Sequence, residues 1–212
     1  DTLVTVTIKG LAVSAVSFED LLTLAAGVAA SSQKTGVAGS AAVTVLTETT
    51  TATIAEEAMV NTTYDYDNEN IAQSVLVLAS DFTDHVGIGG GVAFGRETGI
   101  GARIDVGVIN KITEARISSD AVVEAQNNVE IKARSEEEIF SLAAGAAVSE
   151  KKAGIAGAVD VYVLDITTRS FIEGQREGFN GAVVWAGDSV LLSAEGRTSL
   201  DSISGNLAFS KN

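Results

Sequence analysis

Asp65, Asp67 and Glu69 stand two residues apart in the stretch YDYDNEN, with Asn68 and Asn70 beside them. Alternating carboxylates open an oxygen-rich calcium loop, and several flexible carboxylates suit Ca²⁺ better than the strict octahedron of Mg²⁺. The pattern then stops. A calcium hand asks for glycine after the third ligand and a bidentate glutamate at the twelfth position, where the chain offers Asn70 and, counting from Asp65, Leu76. Calcium at Asp65, Asp67 and Glu69 is the single metal expectation, set against a solvated acidic loop, and no other cofactor is expected.

The remaining chemistry is thinner. His85 is the one histidine and there is no cysteine, so a transition-metal site has no second ligand of that kind, and His85 is expected at a surface or strand edge. No G-x-S-x-G elbow accompanies it to support a serine triad. Asp105 with Asp160, or Asp160 with Asp165, could serve a sugar-cleaving solenoid. Repeat alignment places Asp105 and Asp160 at matched positions, expected to face outward as an acidic ladder. Sugar clefts also present aromatic platforms, and the chain has one tryptophan, Trp185. No catalytic residue is assigned, and the chain is not expected to be an enzyme. The glycine run GIGGGVAFG (87–95) lacks the following helix that a phosphate cradle uses, so its glycines are expected to permit close packing or bending.

These residues need a scaffold, and the scaffold is repetitive. LAAGVAAS (24–31), IGGGVAFG (88–95), LAAGAAVS (142–149) and ISGNLAFS (203–210) are four copies of one pattern. An alternating run begins at one constant interval ahead of each, at Leu11, Val75, Val129 and Val190. Three copies continue into a second block bounded by Gly36 and Ile54, Gly99 and Ile117, and Gly154 and Ile172, with the same separation each time. Length varies only between the second block and the next alternating run, where the first copy has nine and the third six residues more than the second. Such confined variation marks a loop on one face of a regular scaffold.

Period-two alternation rich in Val, Ile and Thr makes the blocks strands. Paired apolar residues at Val45-Leu46, Val108-Ile109 and Val163-Leu164 switch the parity at one matched place, where a corner is expected. The fold class is all-β: a right-handed parallel β-helix, or β-solenoid, of repeats of about 54–64 residues. It forms a single domain over 1–212, with copies at approximately 11–74, 75–128, 129–189 and a partial 190–212. Coils of roughly 18 to 20 residues would stack about eleven high, at about 4.8 Å each, into a rod of order 50 Å. A segment of a longer array, or a subunit whose ends meet other subunits, is expected, with inward residues small so that successive coils interdigitate.

Composition agrees with this reading and narrows the partners. Apolar residues make up 46% of the chain but aromatic ones only 5%, so the interior is built from small and branched aliphatics. The net charge of −14 opposes nonspecific binding to nucleic acid and to anionic lipid by repulsion. No apolar run reaches the roughly 18 residues of a spanning helix, and aromatic girdles of a membrane barrel are missing, so membrane insertion is not expected. The threonines of TETTTATI at 47, 49, 51 and 53 share a face, but matched residues in later copies do not continue an ice-binding ladder; a solvent-facing strand is expected.

The blocks LAAGAAVSEKKAGIAGAVDVYVLDITTRSFI, AVVWAGDSVLLSAEG and AVVEAQNNVEIKARS resemble the repeats of leukotoxin-type and filamentous-haemagglutinin-like adhesins across essentially the whole chain. That resemblance implies a secreted protein on the bacterial cell surface, binding a host-cell, bacterial-surface or glycan receptor. On this reading the variable stretches 55–74 and 173–189 carry recognition. Head-to-tail self-association into an extracellular fibre is the second expectation, and a polysaccharide-cleaving β-helix the third.

Overall fold

The computed structural model describes residues 8–62 and 71–211. Asp65, Asp67 and Glu69, the expected calcium ligands, lie outside the described residues. Each coil is made of two very long strands and a short one. The first coil runs through β1 (Lys9–Ser31), β2 (Thr35–Ile54) and β3 (Met59–Val60). The second has β4 (Gln73–Gly95), β5 (Thr98–Ile117) and β6 (Val122–Ala125), and the third β7 (Val129–Ser149), β8 (Ala153–Ile172) and β9 (Val183–Ala186). A last strand, β10 (Val190–Ser210), starts the fourth.

Three parallel sheets result, ordered β1-β4-β7-β10, β2-β5-β8 and β3-β6-β9. The fold is an all-β parallel solenoid. Its register follows the repeat spacing residue by residue: Leu24 pairs with Ile88, Ile88 with Leu142, and Leu142 with Ile203. Likewise Gly36 lies beside Gly99, and Gly99 beside Gly154.

The coil size is a correction. One coil is a whole repeat, not roughly 18 to 20 residues, so the tall rod of about eleven coils gives way to three coils and the opening strand of a fourth. At about 4.8 Å per coil the stack is thin, while strands of 20 to 23 residues make it roughly 70 Å wide.

The paired apolar residues at 45–46, 108–109 and 163–164 are not corners either. Each pair lies inside one continuous strand, and the alternation of buried and exposed positions runs through it without a change of phase. What changes there is the face that carries the apolar residues. From Ile109 to Ile117 the inward residues of β5 include Ile109, Ala115 and Ile117, all fully buried. Before that point the apolar residues Ile100, Ile104, Val106 and Val108 point outward, and the inward ones are Gly99, Gly101, Arg103, Asp105 and Gly107.

The coil therefore has two parts with opposite patterning. In the base, three sheets close around Ile54, Val75, Val77, Ile117, Val123, Val129 and Ile131, with Ala filling the spaces between. Beyond it the first two sheets continue as a thin wing, closed at the tip by turns at 32–34, 96–97 and 150–152. The wing is thin because most of its facing residues are small, with Gly and Ala foremost, and the larger Arg103, Asp105 and Tyr162 are confined to its lower part. A Cβ on Gly27 would come within 2.2 Å of the Gly39 carbonyl oxygen, and one on Gly91 within 2.6 Å of the Ala102 oxygen. Small residues thus serve the approach of two sheets within a coil, rather than interdigitation of successive coils.

Length variation also falls in two places. The first coil's extra residues follow β3, whereas the third coil's precede β9, where Arg176 and Phe179 close a small antiparallel hairpin. Both flank the short third sheet.

Candidate functional site

The hairpin at 174–181 overhangs a surface groove of about 580 Å³ lined in part by Glu56, Arg116, Ser119, Phe171, Glu173 and Arg176. In-register stacking brings these groups together from all three coils. Arg176 lies 4.2 Å above the Phe179 ring, pairs with Glu56, and donates from Nε to Ser119 Oγ at 3.3 Å. The Ser119 backbone N–H and hydroxyl both donate to Glu173 at 3.0 Å. Those hydrogen bonds, the backbone one foremost, hold the Glu173 carboxyl below its ordinary range, so it is ionised at neutral pH. The groove offers charged and hydroxyl groups held in fixed positions, the equipment of recognition.

A second polar cluster is sealed inside, between base and wing. Lys111, Asp81 and Glu137 have no exposed side-chain surface, and Lys111 Nζ lies 2.5 Å from Asp81 and 3.5 Å from Glu137. Lys111 also reaches the Thr83 hydroxyl, Thr50 and Thr113 donate to Asp81, and Thr198 donates to Glu137 at 2.8 Å. The contacts run along the stacking axis through all four coils.

At its first-coil end, oxygens of Glu19, Glu48 and Asp81 lie within 4.8 Å of one another. The Lys111 ammonium already supplies a positive charge there. Burial, followed by hydrogen bonding with Glu19, pushes the Glu48 carboxyl up to about 7, so below that pH it keeps its proton rather than adding a further ligand charge. Glu48 is neutral in both states below the unfolded value near 4.5, and the stability of that neutral form is lost as pH rises through about 7. Substituting Glu48→Gln is expected to leave the melting temperature near that of the parent at pH 5. At pH 8 the variant should melt higher. Equal melting temperatures at both values would remove this assignment.

Several expected positions move inward. Asp105 and Asp160 do pair in register, but Asp105 is buried and faces Arg103 at 3.1 Å, Ser141 at 3.1 Å and the Tyr162 hydroxyl at 3.2 Å. The outward acidic ladder is therefore an internal one, since unbroken alternation along β5 fixes its parity. His85 is likewise buried, not at a surface or edge. Its Nε2 lies 3.4 Å from the Thr23 hydroxyl, and burial lowers its pKa, opposed by Asp105 and Asp84. The threonines at 47, 49 and 51 face solvent as the alternation requires, and the 87–95 glycines lie within β4 with no helix after them.

Comparison with protein-family models, with curated proteins and with solved structures finds no match to this chain.

Proposed function

We propose that the chain is a non-catalytic structural and adhesive segment of an extracellular bacterial surface solenoid. The observation that carries this reading is the division of labour along each coil. Long strands stack without a bulge through every copy, while sequence and length vary beside the third sheet, where the polar groove lies. A rigid ladder that holds a variable, charge-lined groove away from its long axis suits contact with a hydroxyl-rich receptor such as a surface glycan. The adhesin resemblance points the same way and supplies the surface location.

The hairpin that overhangs the groove can be removed without touching the ladder. Glu173 and Ala182 are already joined by an Ala182 N–H bond to the Glu173 oxygen at 2.9 Å. The second coil spans the same interval with Ser119 and Asp120 alone. Replacing 174–181 by Ser-Asp is expected to leave the melting temperature within a few degrees and to abolish binding to a glycan array or to a panel of host and bacterial cells. Binding that survives the replacement would place recognition elsewhere; loss of folding would show the hairpin to be part of the core.

Head-to-tail fibre assembly is a second reading. Among the described residues β1 and β10 each pair on one side only, and the coil register would continue across a β10-to-β1 junction. Fibres that lengthen with protein concentration under negative-stain microscopy would favour it, and monodisperse particles would count against it.

A further inference from the structure

Neither the ladder nor the groove accounts for the outer faces of the wing. On the first sheet the outward positions at 22–30 and their partners in β4, β7 and β10 carry Gly, Ala, Val, Leu, Ile or Phe, with Asp201 at the lower margin as the one ionisable residue. On the second sheet the outward positions at 37–45 and their partners in β5 and β8 carry only Gly, Ala, Val and Ile. Many are strongly exposed: Leu24 66%, Val28 76%, Val43 69% and Val45 66%. The two bands lie back to back at one height, because Gly27 faces Gly39 and Thr23 meets Thr44 across the wing.

Against the expectation drawn from the missing aromatic girdles and the acidic net charge, we infer that the wing inserts into a lipid bilayer. Three features favour lipid over a second protein surface. Nine residues per band span about 27 Å, close to the roughly 30 Å hydrocarbon thickness and to the roughly 9–11 residues of a membrane-crossing strand. Both opposite faces are apolar, so the wing is suited to a medium that surrounds it, whereas a pairwise contact covers one face. The tip turns and the residue after β10 carry Lys34, Arg96, Lys151, Lys152 and Lys211 against Glu97 and Glu150, a basic end on an acidic chain, complementary to anionic headgroups. Below the bands the outward residues become polar together, with Asp20, Asp84 and Glu138 on one sheet and Thr47, Asn110 and Asp165 on the other.

Inward, the first three coils of the wing are largely closed, whereas β10 is exposed along its whole length. Backbone groups of the wing pair between coils, and the polar side chains Arg103 and Asp105 are enclosed between the sheets. Among the described residues β1, β2, β8 and β10 each leave one edge unpaired, which is costly in hydrocarbon, so insertion is expected to go with edge-to-edge stacking of coils.

The chain has no cysteine, which allows single labelled positions. An environment-sensitive fluorophore on Val43→Cys, Val161→Cys or Ile88→Cys is expected to move from water to an apolar environment when vesicles of phosphatidylcholine with phosphatidylglycerol are added, and to be quenched by lipid-borne quenchers. The same label on Thr49→Cys stays aqueous. Val161→Lys is expected to reduce co-flotation with those vesicles at least about 30-fold, the equivalent of about 2 kcal/mol, although its added positive charge would strengthen mere surface adsorption. Labels that stay aqueous with vesicles overturn the inference. Labels shielded equally without lipid, with a concentration-dependent rise in sedimentation, overturn it in favour of a second copy of the chain.

Discussion

Replacing Lys111 by alanine is expected to destabilise the solenoid by about 3–5 kcal/mol, the usual consequence of stranding buried partners of an ion pair. Asp81 and Glu137 would remain in a site with no exposed side-chain surface. Burial already raises the Asp81 pKa, and hydrogen bonding and attraction from Lys111 are what oppose that rise. Without the ammonium the Asp81 carboxylate must take up a proton or admit water. The loss should be read from chemical denaturation at pH 7 and should shrink as pH falls and Asp81 is neutralised. Changing all three residues together, with Lys111→Met, Asp81→Leu and Glu137→Leu, is expected to recover most of the stability, because a well-packed apolar replacement has no desolvation penalty. A single alanine variant as stable as the parent at pH 7 would mean the cluster is open to water.

Gly101→Val is the second large effect, about 3 kcal/mol or more, at or beyond the upper end for overpacking. A Cβ there would lie 2.3 Å from the Ala146 carbonyl oxygen and 2.9 Å from that of Gly91. Both are backbone atoms of the opposite sheet, so no side-chain rotation relieves the clash and the two wing sheets must separate. Gly157→Val is the matched control. It points outward, a Cβ there meets nothing within 4 Å, and a β-branched residue suits a strand. Parent-like unfolding for Gly157→Val beside early unfolding for Gly101→Val is the expected result. Equal tolerance of both would mean that the sheets are not in close contact.

Much of this architecture was legible in the residues. The spacing of Leu24, Ile88, Leu142 and Ile203 gives the inter-coil register without error, because parallel stacking repeats one pattern at every level. Coil size was not legible by the same route. Strands as long as β1 and β4 lie far outside the common range, and the change of apolar face at Val45-Leu46 imitates the parity break of a corner. The distinguishing signal lies in what surrounds that pair. Val37, Val43 and Val45 have inward neighbours Ala38, Thr44 and Leu46, small or polar until the switch, which is the mark of two sheets in close approach.

The burial of His85 was also encoded. Its matched residues Leu21, Ile139 and Leu200 are all large and apolar, so its position is an inward one whatever residue occupies it. Lys111 shares a column with Glu48 and Ile166, and that mixture hides its burial until Asp81 and Glu137 are seen on the facing sheet. The groove residues Glu56, Arg176 and Phe179 lie in the non-repeating stretches. Periodicity places those stretches beside the third sheet but cannot bring their side chains together.

One coil per repeat fixes which residues are neighbours, and cysteine cross-linking reads those neighbours out in a chain with no native cysteine. Thr49 and Ile112 are register partners on adjacent parallel strands and face outward together. Their Cα atoms fall within the span of about 4.4–6.8 Å that a disulfide bridges. Mild oxidation of the Thr49→Cys, Ile112→Cys double variant should therefore close a covalent loop that shifts its mobility on a denaturing gel. Ile112→Cys with Glu130→Cys, separated in sequence by the length of one short coil and on different sheets, should stay open. Closure of the second pair and not the first would contradict the long coil and return the chain to a stack of short ones.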